Sequence, residues 1–390
     1  MLLTATATLA ANALLSGCSQ RNPDAFRVEL LEDSFPPQLL RVFRKELSLA
    51  RDCEFDSREQ LSEIYAQLQK WEQAPKQPSR WGIRNPVGQP ATAKPADLVT
   101  LSDYWLTSAI QQQLVQPFPA LQLQTWPQLS SRWTELVQRD RQGRPSPEGE
   151  IWGVPYRWGS LMMVYRTRPF EALGWQPQSW QDLWRPELAR RISLPNHPRL
   201  VIGLVLKQMG QSSNSSNLTP LLPELAAQLQ SLQRQVKFYS STHALQALVS
   251  NDTWLAVAWS TDVLPVMQRY RQLKAAIPLS GTLLTADLWA RPMTAIAKNS
   301  SEVAPLPDVG QQWLEFCWRP DVATQLSLST YGASPRFASL LPASLPASLR
   351  DRPLLLPDAE VLTKSEFLKP LPSDSEQAYT QLWAQMRQAS

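Results

Sequence analysis

The run from Trp152 to Gly210 constrains the fold of this chain more than any other segment. It contains WGVPYRWGSLMMVYRT and then SWQDLWRPELARRISLPNHPRLVIGLVLKQMG. Gly153–Thr167 is apolar, rich in Val, Tyr, Trp and Met, and carries no strong turn signal, so it reads as a buried strand. From Ser179, a capping Ser, apolar Trp180, Leu183 and Trp184, and a Pro at 186 predict a short helix that stops abruptly. Ile192–Leu194 reads as another strand, and Leu200–Met209 as an apolar helix closed by Gly210. Strand, helix, strand, helix means an α/β layer, with ligand loops at the strand ends.

With 390 residues the chain is long for one core and predicts about two domains. Residues 19–27 form a polar tether. Val28–Leu31 is expected as the first strand, and Pro36-Pro37 opens a helix over Gln38–Ala50. Ser57 is expected to cap a helix running through Leu61, Ile64, Tyr65 and Leu68 to Trp71. Residues 74–95, rich in Pro, Gly and polar side chains, read as a loop insertion. Ala96–Leu101 is a buried-strand pattern with Ser102, Asp103 and Tyr104 at its carboxyl end, where open α/β sheets place ligands. Arg139–Glu150 is a polar loop and Leu221–Gln235 an amphipathic helix. Leu255–Trp259 is a short strand ending in Ser260-Thr261-Asp262. Leu283–Ala290 reads as a strand, Val309–Cys317 as a helix, and the stretch from Ser373 as a helix with Leu382, Trp383 and Met386 on one face.

Composition excludes several classes of function. The net charge of +4 comes without a Lys/Arg-rich run, so nucleic acid is not an expected partner. Thirteen glycines include no phosphate-cradling motif, and the two histidines, His197 and His243, form no cluster with cysteine at metal-ligand spacing. No nucleophile elbow is present, so no catalytic residue, cofactor or metal is assigned and the chain is not expected to be an enzyme. Sixteen Trp supply faces able to stack on ligands or hold cations, although most are expected in the core. Leu2–Leu15 is apolar but too short to span a bilayer, and it runs into Leu15-Ser16-Gly17-Cys18. This resembles a bacterial lipoprotein signal over residues 1–18 with Cys18 as the lipidated residue, although no Lys or Arg precedes the apolar run. The remaining cysteines, Cys53 and Cys317, are either paired or free; the apolar WLEFCW context favours a buried thiol at Cys317.

Segments spread along the chain resemble the spermidine/putrescine-binding proteins of polyamine-type ABC transporters. They are the Pro36-Pro37 helix start, ADLVTLSDY at 96–104, VPYRWGS at 154–160, SWQDLWRPELARRISL at 179–194, LAVAWS at 255–260, the strand around Asp287, LEFCWRPDVATQLSLSTYGASP at 314–335 and LLPDAEVL at 355–362. The resemblance implies a two-lobed type II periplasmic-binding fold, α/β in class, that closes on its ligand about a hinge. Its implied division is residues 28–156 plus 283–338 for one lobe and 157–282 plus 339–390 for the other, with 74–95 inserted in the first. The chain would cross between lobes near Tyr156–Gly159, near Gly281–Leu284 and after Pro335.

The resemblance also implies a site. Ser102 and Tyr104, Trp259, Asp287 and Tyr331 stand where the family has ligand-contacting Ser, Tyr, Trp, carboxylate and Tyr. Ammonium groups in a partly dry cleft need counter-charges or π-faces to offset lost hydration. The chain departs from the family at His197 and Leu200, which occupy positions of an amine-binding carboxylate pair, and at Thr285, where the family has Trp. Glu32 and Asp33 are further candidates as relocated negative charge, or else a solvated turn. Arg157, and Arg199 near the altered loop, would suit an anion or zwitterion if either faces the cleft. The implied function is a lipid-anchored, extracytoplasmic, monomeric substrate-binding protein that delivers a polyamine to an ABC permease. The alternatives are the same fold with an amino acid-like or anionic solute, or a surface lipoprotein acting as an interaction module.

Overall fold

The computed structural model describes residues 25–46, 53–73, 95–119, 123–298, 300, 303–338 and 340–388. The expected leader, Cys18, most of the tether and nearly all of the 74–95 insertion lie outside the described residues.

One large mixed sheet organises the molecule. Its main path runs through strands Cys53–Arg58, Phe26–Leu31, Leu98–Ser102, Leu283–Pro292, Val154–Arg166, Leu255–Trp259, Ile192–Leu194 and Val236–Tyr239. The first three are parallel and alternate with helices Pro37–Glu46, Leu61–Gln73 and Asp103–Gln111, as the sequence pattern requires. Two long strands then join the halves. Val154–Ser160 pairs antiparallel with Leu283–Pro292, whereas Leu161–Arg166 pairs with Leu255–Trp259 and Leu273–Ala276. Every residue from Val154 to Tyr165 is buried, which is why this strand reads as a nearly unbroken apolar run.

The cores follow this division. On the first side Trp133 and Trp158 pack with Val99, Leu101 and Leu288, and a second cluster gathers Phe35, Phe43, Tyr156, Trp289, Trp313 and Trp318. The Tyr156 and Trp289 rings stack at 4.1 Å. On the second side Trp180, Leu183 and Leu194 pack with helices Pro198–Gln208, Leu222–Gln235 and Ser373–Gln388. Trp133, Trp158, Trp180, Trp289, Trp313 and Trp318 are among the largest fully buried side chains. Removing such a ring from water contributes roughly 4–6 kcal/mol each, so these Trp serve the core and not a ligand.

Local signals behave as chemistry demands. Ser179 forms a capping box with Asp182, and the short helix after it, Trp180–Trp184, is 3₁₀. Its Trp180 Nε1 donates to the Gly281 carbonyl at 2.9 Å. Gly210 follows helix Pro198–Gln208 with φ of 74°. Ser57 does not cap a helix. It lies within strand Cys53–Arg58, which pairs only with Phe26–Leu31 at the sheet edge, and the helix begins at Leu61. The polar loop over Arg139–Glu150 is closed by a small antiparallel ladder, Gln138–Arg139 against Glu150–Ile151.

The C-terminal stretch divides between the two cores. Leu349, Leu355, Leu356, Leu362 and Phe367 join the first-side core, and Tyr379, Leu382 and Met386 join the second. The chain passes from one core to the other at Phe367–Leu368, where Glu366–Phe367 pairs in parallel with Leu283–Leu284. Three segments therefore connect the lobes side by side. Cys53 and Cys317 are both buried free thiols, and burial lifts the Cys53 pKa to about 12.

Candidate ligand-binding site

Three strand positions create the centre of the site. In the ladder, Asp287 lies opposite Ser102 on one neighbour and opposite Arg157 on the other, just before a register shift at Asp287/Leu288. Arg157 Nε donates to Asp287 Oδ2 at 2.5 Å, with both side chains largely buried. Burial opposes the Arg157 charge, but Asp287 foremost, with Tyr156 and Asp262, outweighs it and raises the Arg157 pKa. Neither terminal nitrogen of Arg157 hydrogen-bonds a described residue, and neither is a sealed, partnerless atom. The tip of the guanidinium therefore meets water.

Gly332 closes on the aliphatic stem of Arg157. A Cβ there would come within 2.9 Å of Arg157 Cδ, and the segment is pinned by paired backbone bonds between Trp158 and Ala333, each 2.8 Å. The preceding Tyr331 ends helix Pro320–Thr330 in a left-handed conformation, half-buried against the first-side core. Ser102 is half-buried and caps helix Asp103–Gln111, its Oγ accepting from the Tyr104 backbone N–H at 3.3 Å. Behind it Asp103 is buried, accepting from Thr285 Oγ1 at 3.0 Å and from the Ala286 N–H at 2.9 Å. Burial pushes the Asp103 carboxyl up to about 6 despite these bonds.

The second lobe supplies the opposite wall. Strand Leu255–Trp259 ends with Trp259 half-buried against that lobe's core, and helix Ser260–Arg269 begins at once. Ser260 Oγ accepts from the Ser160 N–H at 3.0 Å, and a Cβ on Gly159 would lie 2.8 Å from that oxygen. This close approach fixes the helix start against the lobe crossing. Asp262, in the first turn, is exposed to water yet walled by protein on most sides. Burial raises its pKa, Arg157 lowers it and Asp287 raises it, so its carboxylate shares a field with the central ion pair. The sequence reading passed over Asp262, although its place three residues beyond a strand end was the available signal.

The remaining candidates sit elsewhere. Tyr104 meets His197 edge-on across the lobes, with ring centroids 4.7 Å apart. His197 Nδ1 accepts from the Leu200 N–H at 3.4 Å, capping helix Pro198–Gln208, and burial first and Arg199 second lower its pKa. The imidazole is thus held neutral, and Leu200 is buried in the second-side core. Arg199 donates to the Ser213 and Lys369 carbonyls and to Asn214 Oδ1 and lies over the Tyr379 ring. A cavity of about 530 Å³ lies among Tyr104, His197, Arg199, Glu376 and Tyr379. Glu32 and Asp33 form an exposed turn after the first strand, Asp33 with φ of 57°, and neither carboxylate bonds a described residue. Among the described residues no group of three or more His, Cys, Asp or Glu is placed to hold a metal, and no helix is long and apolar enough to cross a membrane.

Two α/β lobes joined by shared strands have the fold of the two-lobed periplasmic type. Residues 93–365 match the family of bacterial extracellular solute-binding proteins, and the chain belongs to that family. It is 25% identical over 305 residues to the putrescine-binding periplasmic protein of Escherichia coli, covering 75% of this chain and 78% of that one. It is 24% identical over 363 residues to the spermidine/putrescine-binding periplasmic protein of Salmonella typhimurium, covering 92% and 91%. Its fold is similar to a spermidine/putrescine ABC transporter substrate-binding protein from Streptococcus pneumoniae, with a TM-score of 0.73 at 18% identity over 94% of this chain and 99% of that one.

Proposed function

We propose that this protein is the substrate-binding component of an ABC importer and that it captures an aliphatic amine, the polyamine class of its relatives' names, between its lobes. The observation that carries this reading is the charge around Arg157. Asp287 from the first lobe and Asp262 from the second both act on one guanidinium, leaving carboxylate in excess at the cleft. An ammonium group entering a partly dry cleft needs that excess, and the rings of Tyr331 and Trp259 would supply further cation-stabilising faces. Contacts from both walls favour the closed form, which the permease would recognise. Extracytoplasmic location fits the periplasmic relatives, and the box ending at Cys18 fits a lipid anchor. The lobe boundaries proposed here are 25–160 with 284–367 and 161–283 with 368–388, following the packing of the side chains.

The test is a thermal-shift and calorimetric screen of the purified protein against putrescine, cadaverine, spermidine, amino acids and small anions. A ligand at a hundred times its Kd adds about 2.7 kcal/mol of stability. Asp262→Asn and Asp287→Asn should each weaken amine binding about tenfold or more. Absence of any shift with amines, or unchanged affinity in both variants, refutes the reading.

A further inference from the structure

Arg157 is a charged side chain placed where a simple diamine site has no use for one. It is only 7% exposed, it spends Nε on Asp287, and it leaves both terminal nitrogens without a hydrogen-bond partner among the described residues. A guanidinium of this kind is a fork for a carboxylate, because two parallel N–H donors match two oxygens. Its stem is packed under Gly332 and its base is tied to Asp287, so the fork is held in place before any ligand arrives. Asp262, from the other wall, presents a water-accessible carboxylate within the same field. The cleft thus offers one cationic fork and one anionic acceptor from opposite lobes.

The positions that depart from the polyamine pattern agree. His197 is engaged as a helix cap, Leu200 is buried, and the charges beside them are the cation Arg199 and, across the cavity, Glu376. A second ammonium directed toward that end finds no carboxylate at positions 197–200, and the field of Glu376 there is already opposed by Arg199. We infer that the cleft takes, in preference to plain diamines, short amines with a carboxylate at the far end, the acid docking on the Arg157 fork and the ammonium on Asp262. This rests on the aliphatic-amine part of the reading above and moves the ligand from the polyamine class to zwitterionic ω-amino acids. Closure then requires both ends of the ligand, since each lobe contributes the partner of one charge.

The experiment is titration calorimetry of the purified protein with putrescine, cadaverine, 4-aminobutanoate, 5-aminopentanoate and succinate, in wild type, Arg157→Gln and Arg157→Lys. The wild type should bind an ω-amino acid at least tenfold tighter than the diamine of equal length. Arg157→Gln should lose about 30-fold or more for the ω-amino acid. It should gain affinity for the diamine, because Asp287 is then unpaired. Arg157→Lys, which keeps the charge without the fork, should fall between. The wild-type comparison stands alone should Arg157→Gln fail to fold. A diamine binding as tightly as, or tighter than, the ω-amino acid overturns the inference and leaves the amine reading intact. Unchanged ω-amino acid affinity in Arg157→Gln also overturns it. Failure of every amine, zwitterionic or not, removes both.

Discussion

Asp103→Asn isolates the energetics of the buried carboxylate behind the site. Burial lifts the Asp103 carboxyl from 3.8 to about 6. At about 1.4 kcal/mol per pKa unit, ionising it inside the fold costs about 3 kcal/mol more than ionising it in the unfolded chain. The folded state holds this proton more tightly than the unfolded state, so the favourable contribution is complete below pH 3.8. It declines as pH rises and is lost above about 6. Asparagine keeps an oxygen to accept from Thr285 Oγ1 and the Ala286 N–H, and it cannot ionise. The attraction of buried Arg139 for the charged form, like the two hydrogen bonds, is already contained in the value of about 6. The variant should therefore match wild type within about 1 kcal/mol at pH 4 and exceed it by about 3 kcal/mol at pH 8. Urea denaturation of both proteins at the two pH values measures this directly, and the double difference cancels every other titrating group. A variant less stable than wild type at pH 8, or a difference that does not change with pH, refutes the argument. In that case the hydrogen bonds and Arg139 outweigh desolvation.

Two further predictions concern other parts of the fold. Gly281 has φ of 84° and a Cβ there would lie 2.3 Å from the Lys364 carbonyl oxygen, so Gly281→Ala should lower stability by about 3 kcal/mol; a change below about 0.5 kcal/mol in a denaturation midpoint analysis would show that the segment relaxes freely. Cys53 and Cys317 should not react with a thiol reagent in the folded protein and should add two titratable thiols on denaturation; finding them oxidised to each other in the purified protein would contradict the packing.

Much of the architecture was legible because burial leaves a mark on composition. Val154–Arg166 is buried on both faces and so has an apolar run as its signature, and Ser179 with Asp182 writes a cap directly into the sequence. Cys53–Arg58 escaped because an edge strand with half-exposed residues, CEFDSR, lacks both an apolar run and clean alternation, so Ser57 looked like a cap. The centre of the candidate site was suggested only by family resemblance, and its electrostatics were not legible at all. Pairing of Arg157 with Asp287 depends on antiparallel register between residues 130 apart, which no local pattern encodes. The same applies to the lobe crossing at Phe367–Leu368, which is fixed by which core accepts Leu355, Leu356 and Phe367. Arg199 is a further case. Its place beside the altered loop suggested an anion site if it faces the cleft, while its bonds to the Ser213 and Lys369 carbonyls and Asn214 join segments that no local pattern links.

The joint between the lobes is made of paired strands, Val154–Arg166 beside Leu283–Pro292 with Glu366–Phe367 alongside. A linkage of this kind behaves as a flat torsion spring. Opening spreads a small rotation over many backbone dihedrals and leaves the ladder bonds unbroken, in contrast to a loop hinge, which concentrates the change in a few residues. Amides at Ser160 and Leu284 should therefore exchange with solvent as slowly as those of the deep core, even though any rotation between the lobes would pass through them.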